Sequence, residues 1–198
     1  MNIPEKIIED VKDHVLFLLM EKLSPNLKFH NLRHTFDVVD ASYEIGRQEQ
    51  LTEDQLTIVQ VAAWFHDCGY VTRYIGHEET SKEMAKEFLT AKSCDVQFIS
   101  DVLKCIDATR YPQKPQTLEE QVISDADFYH FTKPGYHNYE EALRYEFEFY
   151  LKKEYTDETW AKGNCDMLTQ HAYFTQYGRE VLQKFKEINI ERMRNKCS

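Results

Sequence analysis

Asn31-Leu32-Arg33-His34-Thr35-Phe36-Asp37-Val38-Val39-Asp40-Ala41-Ser42-Tyr43-Glu44-Ile45 places His34, Val38, Ala41 and Ile45 at i, i+4, i+7 and i+11. Side chains at that spacing share one face of an α-helix, so a helix is predicted from about Asn31 with the histidine on its buried stripe. The same period recurs on both sides. Upstream, Pro4 suits a first turn and opens a helix to residue 23 with Ile7, Val11 and Leu18 on one side, stopped by Ser24-Pro25-Asn26. Downstream, Thr52-Glu53-Asp54-Gln55 has the form of a capping box, and Ile58, Val61, Ala62 and Phe65 lead to His66, with Gly69 suited to end that helix.

Further helices are predicted over 78–90 and 96–108, and Thr117-Leu118-Glu119-Glu120 resembles a second capping box opening a helix through Phe131. Lys133-Pro134-Gly135 breaks it. Two aromatic-rich helices, roughly 139–153 and 157–194, then pack over the rest. Strand-like alternation is nowhere sustained, and the 6 glycines and 5 prolines are few, so the expected fold class is all-α. No repeat or linker divides the 198 residues, and 42% hydrophobic content suffices for one continuous core, so one domain is expected.

The formal charge of −10 argues against a long nucleic acid as partner, because such binding rests on neutralising many phosphates. Small phosphorylated molecules stay open, since a metal ion and a few local cations reverse the field inside one pocket. The five cysteines (Cys68, Cys94, Cys105, Cys165 and Cys197) are odd in number and contain no Cys-x-x-Cys pair, so reduced thiols are expected. The apolar run from Val15 to Met20 is too short to span a bilayer, and acidic residues precede it. A soluble, cytoplasmic protein is expected, without a membrane partner.

The chemistry-bearing residues fall in four short pieces: Phe29-His30-Asn31-Leu32-Arg33-His34-Thr35, His66-Asp67-Cys68-Gly69-Tyr70, His77-Glu78-Glu79 and Asp125-Ala126-Asp127. His30 and His34 stand four apart and share a face if the helix reaches back to residue 30. His66 and Asp67 are adjacent, and at a helix end both can bend toward one ion. Two imidazole nitrogens with two carboxylate oxygens form a moderately hard set that suits Mn, Fe or Mg and also admits Co or Zn. Asp125 and Asp127 lie nearly opposite on a helix, and the stripe of Val122, Ile123 and Ala126 does not choose between them. Taken singly, each histidine on an apolar face reads as a hydrogen-bonded core residue, and each aspartate as a solvated one.

In this order, with the local forms His-Asn-x-x-His-Thr, His-Asp-x-Gly-Tyr and Asp-Ala-Asp, the chain resembles the HD superfamily of metal-dependent phosphohydrolases, in particular its small single-domain bacterial members. The resemblance covers about residues 27–146. It implies an HD-type helical bundle with the metal between central helices, and His34, His66, Asp67 and Asp127 as ligands of a divalent ion. It also implies hydrolysis of a phosphoester in a small molecule such as a nucleotide. His30 matches the first histidine of a similar element in cyclic-nucleotide phosphodiesterases, which donates a proton to the leaving oxygen; the remainder of the chain departs from those enzymes.

The catalytic candidates are therefore His30, His77 and Asp67, and Arg33, Arg110 and Lys114 are candidates to hold peripheral phosphate oxygens. Two rival readings accompany this one. Some HD-fold proteins hold two irons and activate oxygen, for which His77 with one of His130, His137 or His171 would complete a site. A catalytically silent nucleotide-binding module is the other. The aromatic residues of the C-terminal region, among them Tyr145, Phe147, Tyr150 and Tyr173, read as core or as the surface of a homodimer.

Overall fold

The computed structural model describes residues 3–197, with side chains through Met193. Among the described residues nine α-helices run in the order α1 (Ile7–Lys22), α2 (Leu32–Gln48), α3 (Glu53–Phe65), α4 (His77–Ala91), α5 (Val96–Ala108), α6 (Leu118–Asp127), α7 (Tyr136–Leu151), α8 (Asp157–Gln170) and α9 (Gln183–Cys197). No strand occurs among the described residues, and none of their helices is long and apolar enough to cross a membrane.

Helix α3 is apolar nearly all round, with Leu56, Ile58, Val59 and every residue from Val61 to Phe65 buried. A helix of that kind must sit inside the bundle. It packs against α1, α2, α5 and α6, and α2 also packs on α6. This arrangement brings the start of α2, the end of α3 and the end of α6 to one place.

Local chemistry fixes the helix ends. Asn31 caps α2, its Oδ1 accepting from the amides of Arg33 (2.9 Å) and His34 (3.3 Å). The predicted capping box of α3 is reciprocal: Thr52 Oγ1 accepts from Gln55 N, and Gln55 Oε1 accepts from Thr52 N. At α6 only half of the box forms, because the Glu120 carboxylate takes the Gln116 amide instead of that of Thr117. The cysteines Cys68, Cys94 and Cys105 are buried free thiols, Cys165 is half-buried and free, and Cys197 lies outside the described side chains.

Several predicted boundaries move. The first helix begins at Ile7, not Pro4, after a turn closed by Ile7 N on Pro4 O. The helix expected to reach Phe131 ends at Asp127 and tightens into a 3-10 turn over Phe128–Thr132. Gly69 does not act as a left-handed cap but lies within a second 3-10 turn, Cys68–Val71, pressed against the first residue of α4. A Cβ at Gly69 would overlap the His77 carbonyl, and the Gly69 amide donates to Ser81 Oγ at 2.8 Å. Gly69→Ala is expected to push the start of α4 away, separate His77 from Asp67 and lower stability by roughly 2 kcal/mol, the scale of an overpacked core site. A thermal midpoint equal to that of the unaltered protein would contradict this account.

The largest departure is at the C-terminus, where one helix over 157–194 was expected. Instead α8 stops at Gln170, and the chain resumes through a π-helical turn, Gly178–Leu182, that feeds α9. The break is stabilised from α6. Asp125 Oδ1 accepts from Phe174 N (2.8 Å), and Oδ2 accepts from Thr175 N (2.9 Å) and Thr175 Oγ1 (2.7 Å). Buried Lys186 donates to the His171 carbonyl at the end of α8 and lies over the Tyr173 ring. A smaller apolar cluster of Phe131, Tyr136, Leu168, Ile190 and Met193 holds this C-terminal layer together.

Candidate metal centre

Helices α2, α3 and α6 deliver His34, His66 and Asp127, each offering a donor atom within 4.8 Å of the others. Among the described residues this is the group of three or more ligating side chains within mutual reach. His34 Nε2 lies 3.4 Å from His66 Nε2 and 3.3 Å from Asp127 Oδ1. Asp67 Oδ2 adds a fourth donor, 3.4 Å from His34 Nε2 and 3.2 Å from His66 Nε2. Two donors each ~2.1 Å from one ion stand ~3.0–3.4 Å apart, so these separations are those of atoms able to share an ion.

Orientation supports the same reading. His66 Nδ1 faces the Ala63 carbonyl at 2.8 Å, which assigns its proton to Nδ1 and leaves the Nε2 lone pair toward the cluster. Asp67 Oδ2 is buried without a hydrogen-bond partner despite its two imidazole neighbours. An orphaned buried carboxylate oxygen costs free energy unless something positive occupies the space it faces. A divalent cation fits that donor set.

Electrostatics couples the four groups. Burial works to lower the His34 pKa, but the Asp127 and Asp67 carboxylates outweigh it and raise it to about 10. His66 is raised for the same reason, against its own burial. Burial opposes ionisation of Asp67 and Asp127 as well, yet the histidines hold both carboxyl groups below the ordinary range. Without an ion, protons on the imidazoles balance the two carboxylates.

Asp125 and Asp127 separate cleanly. Asp125 spends both oxygens on the 174–175 segment and faces away from the cluster, whereas Asp127 Oδ1 faces His34 and His66. The α-helical rotation between positions two apart accounts for the split.

Beside this centre His77, at the start of α4, turns Nε2 toward Asp67 Oδ1 at 3.4 Å and Nδ1 toward the Tyr74 carbonyl at 3.2 Å. Its ring stacks on Tyr70 (3.8 Å between centroids), and Tyr70 stacks on His30 (4.4 Å). His30 precedes α2 and is held by a residue with no earlier role. Glu146, fully buried on α7, accepts from His30 Nδ1 at 2.6 Å, from the Phe29 and His30 amides at 2.6 and 3.0 Å, and from Tyr74 Oη at 3.3 Å. Nothing in the sequence sets Glu146 apart from Glu148, which pairs with Arg144 at the surface.

The basic candidates are placed elsewhere. Arg110 pairs with Glu78, Glu79 and Asp107, and with Lys114 it lines a separate groove of about 830 Å³. Arg33 is exposed next to Tyr139. A cavity of about 590 Å³ opens from the metal centre, lined there by His30, Asp67, His77 and Asp127 and farther in by mostly aromatic and apolar side chains of α7 and α8; among the described residues no lysine or arginine lines it. His130 reaches the same cavity, its Nδ1 on the Asp127 carbonyl, and burial lowers its pKa to about 3. His137 is engaged with Glu140 and Glu141, and His171 with Lys186.

With this centre at the junction of α2, α3 and α6, the chain belongs to the HD domain family, whose model matches residues 31–132. Among solved structures it is similar to Bacillus subtilis YpgQ in complex with ADP, at 18% identity and a TM-score of 0.66, over 95% of this chain and 92% of that one. It is also similar to a predicted HD superfamily hydrolase from an uncultured Thermotogales bacterium (19% identity, TM-score 0.62, 94% and 89% covered). A Lactobacillus plantarum protein aligns at 14% identity and a TM-score of 0.66, over 98% of both chains. No curated protein sequence matches.

Proposed function

We propose that this chain is a metal-dependent phosphohydrolase acting on a small phosphoester, a nucleotide, with His34, His66, Asp67 and Asp127 holding a divalent ion. The observation that carries the reading is that donors of His34, His66 and Asp127 lie within mutual reach, with Asp67 Oδ2 beside both histidines, at the end of a cavity large enough for an organic phosphate. ADP bound to YpgQ supports the choice of nucleotide. The cavity takes one end from residues 30–127 and its far wall from α7 and α8, so we read the 198 residues as one working unit.

When bound, Mn, Fe, Mg, Co or Zn would supply an activated water and offset charge on the phosphoryl group. His30, with Nδ1 fixed by Glu146, presents Nε2 to the cavity and protonates the leaving oxygen. Tyr70 sets the spacing of His30 from His77, and His77 positions phosphate beside Asp67. Phosphate release from nucleotides and phosphoesters, with each metal added back to stripped protein, tests the proposal.

Oxygen chemistry has one supporting observation: the two oxygens of Asp67 face opposite partners, Oδ2 toward His34 and His66 and Oδ1 toward His77. Two irons per chain with oxygen uptake and no phosphate release would replace hydrolysis by that reading.

Because no lysine or arginine among the described residues lines the cavity, the charge of every added phosphate falls on the ion and the histidines. A nucleoside monophosphate is therefore expected to exceed its triphosphate by about tenfold in kcat/KM, the effect of about 1.4 kcal/mol of uncompensated repulsion. A triphosphate preferred over the monophosphate would overturn this expectation.

A further inference from the structure

The far wall of the cavity contains a polar pair that the metal centre does not use. Along α7, Tyr136, Glu140, Leu143, Phe147 and Leu151 line the cavity at helical spacing, and from α8 Trp160, Gly163 and Met167 do the same. The helices are tied by Tyr136 Oη donating to Asn164 Oδ1 at 3.1 Å and by the edge-to-face contact of Phe147 with Trp160. Glu140 is a carboxylate in the middle of an otherwise apolar and aromatic stripe, 6% exposed. Its Oε1 takes His137 Nδ1 at 2.9 Å, but its Oε2 is buried without a partner. Trp160 Nε1, a donor on the facing helix, is also buried and unpartnered.

An unpaired buried acceptor and an unpaired buried donor each cost free energy until a partner is supplied, and here both residues line one cavity. We propose that Glu140 and Trp160 read the organic half of the substrate: a flat nitrogen heterocycle, as in a nucleobase, that carries both an N–H donor and an acceptor on its rim. Glu140 Oε2 accepts a ring or amino N–H, Trp160 Nε1 donates to a ring nitrogen or carbonyl elsewhere on the rim, and Phe147 and Tyr136 cover apolar surface. The inference rests on the phosphohydrolase reading for the orientation of the substrate, with phosphate at the metal end.

The test compares the protein with Trp160→Phe, which keeps a ring and removes the donor, and with Glu140→Leu, which removes the acceptor at similar size. Hydrolysis of the four ribonucleoside 5′-monophosphates is measured against 4-nitrophenyl phosphate, which is flat but carries no such rim. Binding of the unphosphorylated nucleosides is measured by calorimetry. Each variant is expected to lower the nucleotide to nitrophenyl ratio of kcat/KM by about tenfold, mainly through KM, and to weaken nucleoside binding similarly. An unchanged ratio in Trp160→Phe with unchanged nucleoside affinity overturns the inference, as does absence of nucleoside binding to the unaltered protein. Nucleoside binding that depends on both residues, without phosphate release from any substrate, sustains it while removing the hydrolase reading.

Discussion

Asp67→Ala is expected to lose its divalent ion on desalting, with affinity reduced more than about 100-fold and phosphate release abolished at the same time. Asp67 would supply a donor oxygen, it carries half the anionic charge facing His34 and His66, and its buried Oδ2 has no alternative partner. Asp127→Asn should follow it in direction, since an amide oxygen is a weaker donor. Asp125→Asn should instead keep the ion and lower the thermal midpoint, because its oxygens anchor Phe174 and Thr175; about 1–3 kcal/mol is at stake. Metal content and melting measured side by side separate the effects, and an Asp67→Ala protein that retains stoichiometric metal and activity would refute the centre.

The same geometry makes metal uptake depend on pH. His34, with a pKa raised to about 10, carries a proton at neutral pH and must release it before its Nε2 can ligate. Affinity is therefore expected to rise with pH across the neutral range. The metal-free protein has the opposite dependence: the stabilisation from protonated His34 is fully present below the ordinary histidine pKa and is lost as pH rises through about 10. The depressed carboxyls of Asp67 and Asp127 contribute above the ordinary carboxylate pKa and lose their contribution as pH falls through their lower folded values. Calorimetry in buffers of different ionisation enthalpy measures the released proton directly.

A second large effect is expected at His30. His30→Ala should lower kcat by about 10²–10⁴-fold, the range of general acid catalysis, while leaving metal content nearly intact, because His30 bonds Glu146 and stands outside the donor group. The loss should be smallest for 4-nitrophenyl phosphate, whose leaving group needs little proton donation. Glu146→Gln should reproduce a smaller part of it, since the buried carboxylate that accepts from His30 Nδ1 fixes the direction of the ring and the amide holds it less firmly. A loss equal for good and poor leaving groups would exclude proton donation, and a fall in metal content would make His30 a ligand.

The helices around the site were legible because their stripes and caps are local. His34 with Val38, Ala41 and Ile45, and Thr52 with Gln55, are set by intervals of three and four residues. The stripe of α6 could not choose between Asp125 and Asp127, and only the resemblance pointed to Asp127, because the hydrogen bonds that occupy Asp125 come from residues about fifty positions away. The interruption after Gln170 was invisible for the same reason: the groups that stabilise it, Asp125 and Lys186, come from other helices. Glu146 and Glu140 read as ordinary charges of an exposed helix face. Their burial follows from α7 lying over the cavity, a tertiary fact without a periodic signature.

The cavity has two lineages of parts. The metal donors and the residues from His34 to His130 lie within the stretch 31–132 that the family shares, whereas the wall from Tyr136 to Met167 begins just beyond it. Substitutions at Leu143, Phe147 or Trp160 would thus reshape the space without moving the candidate metal donors, as long as Glu146 keeps its grip on His30.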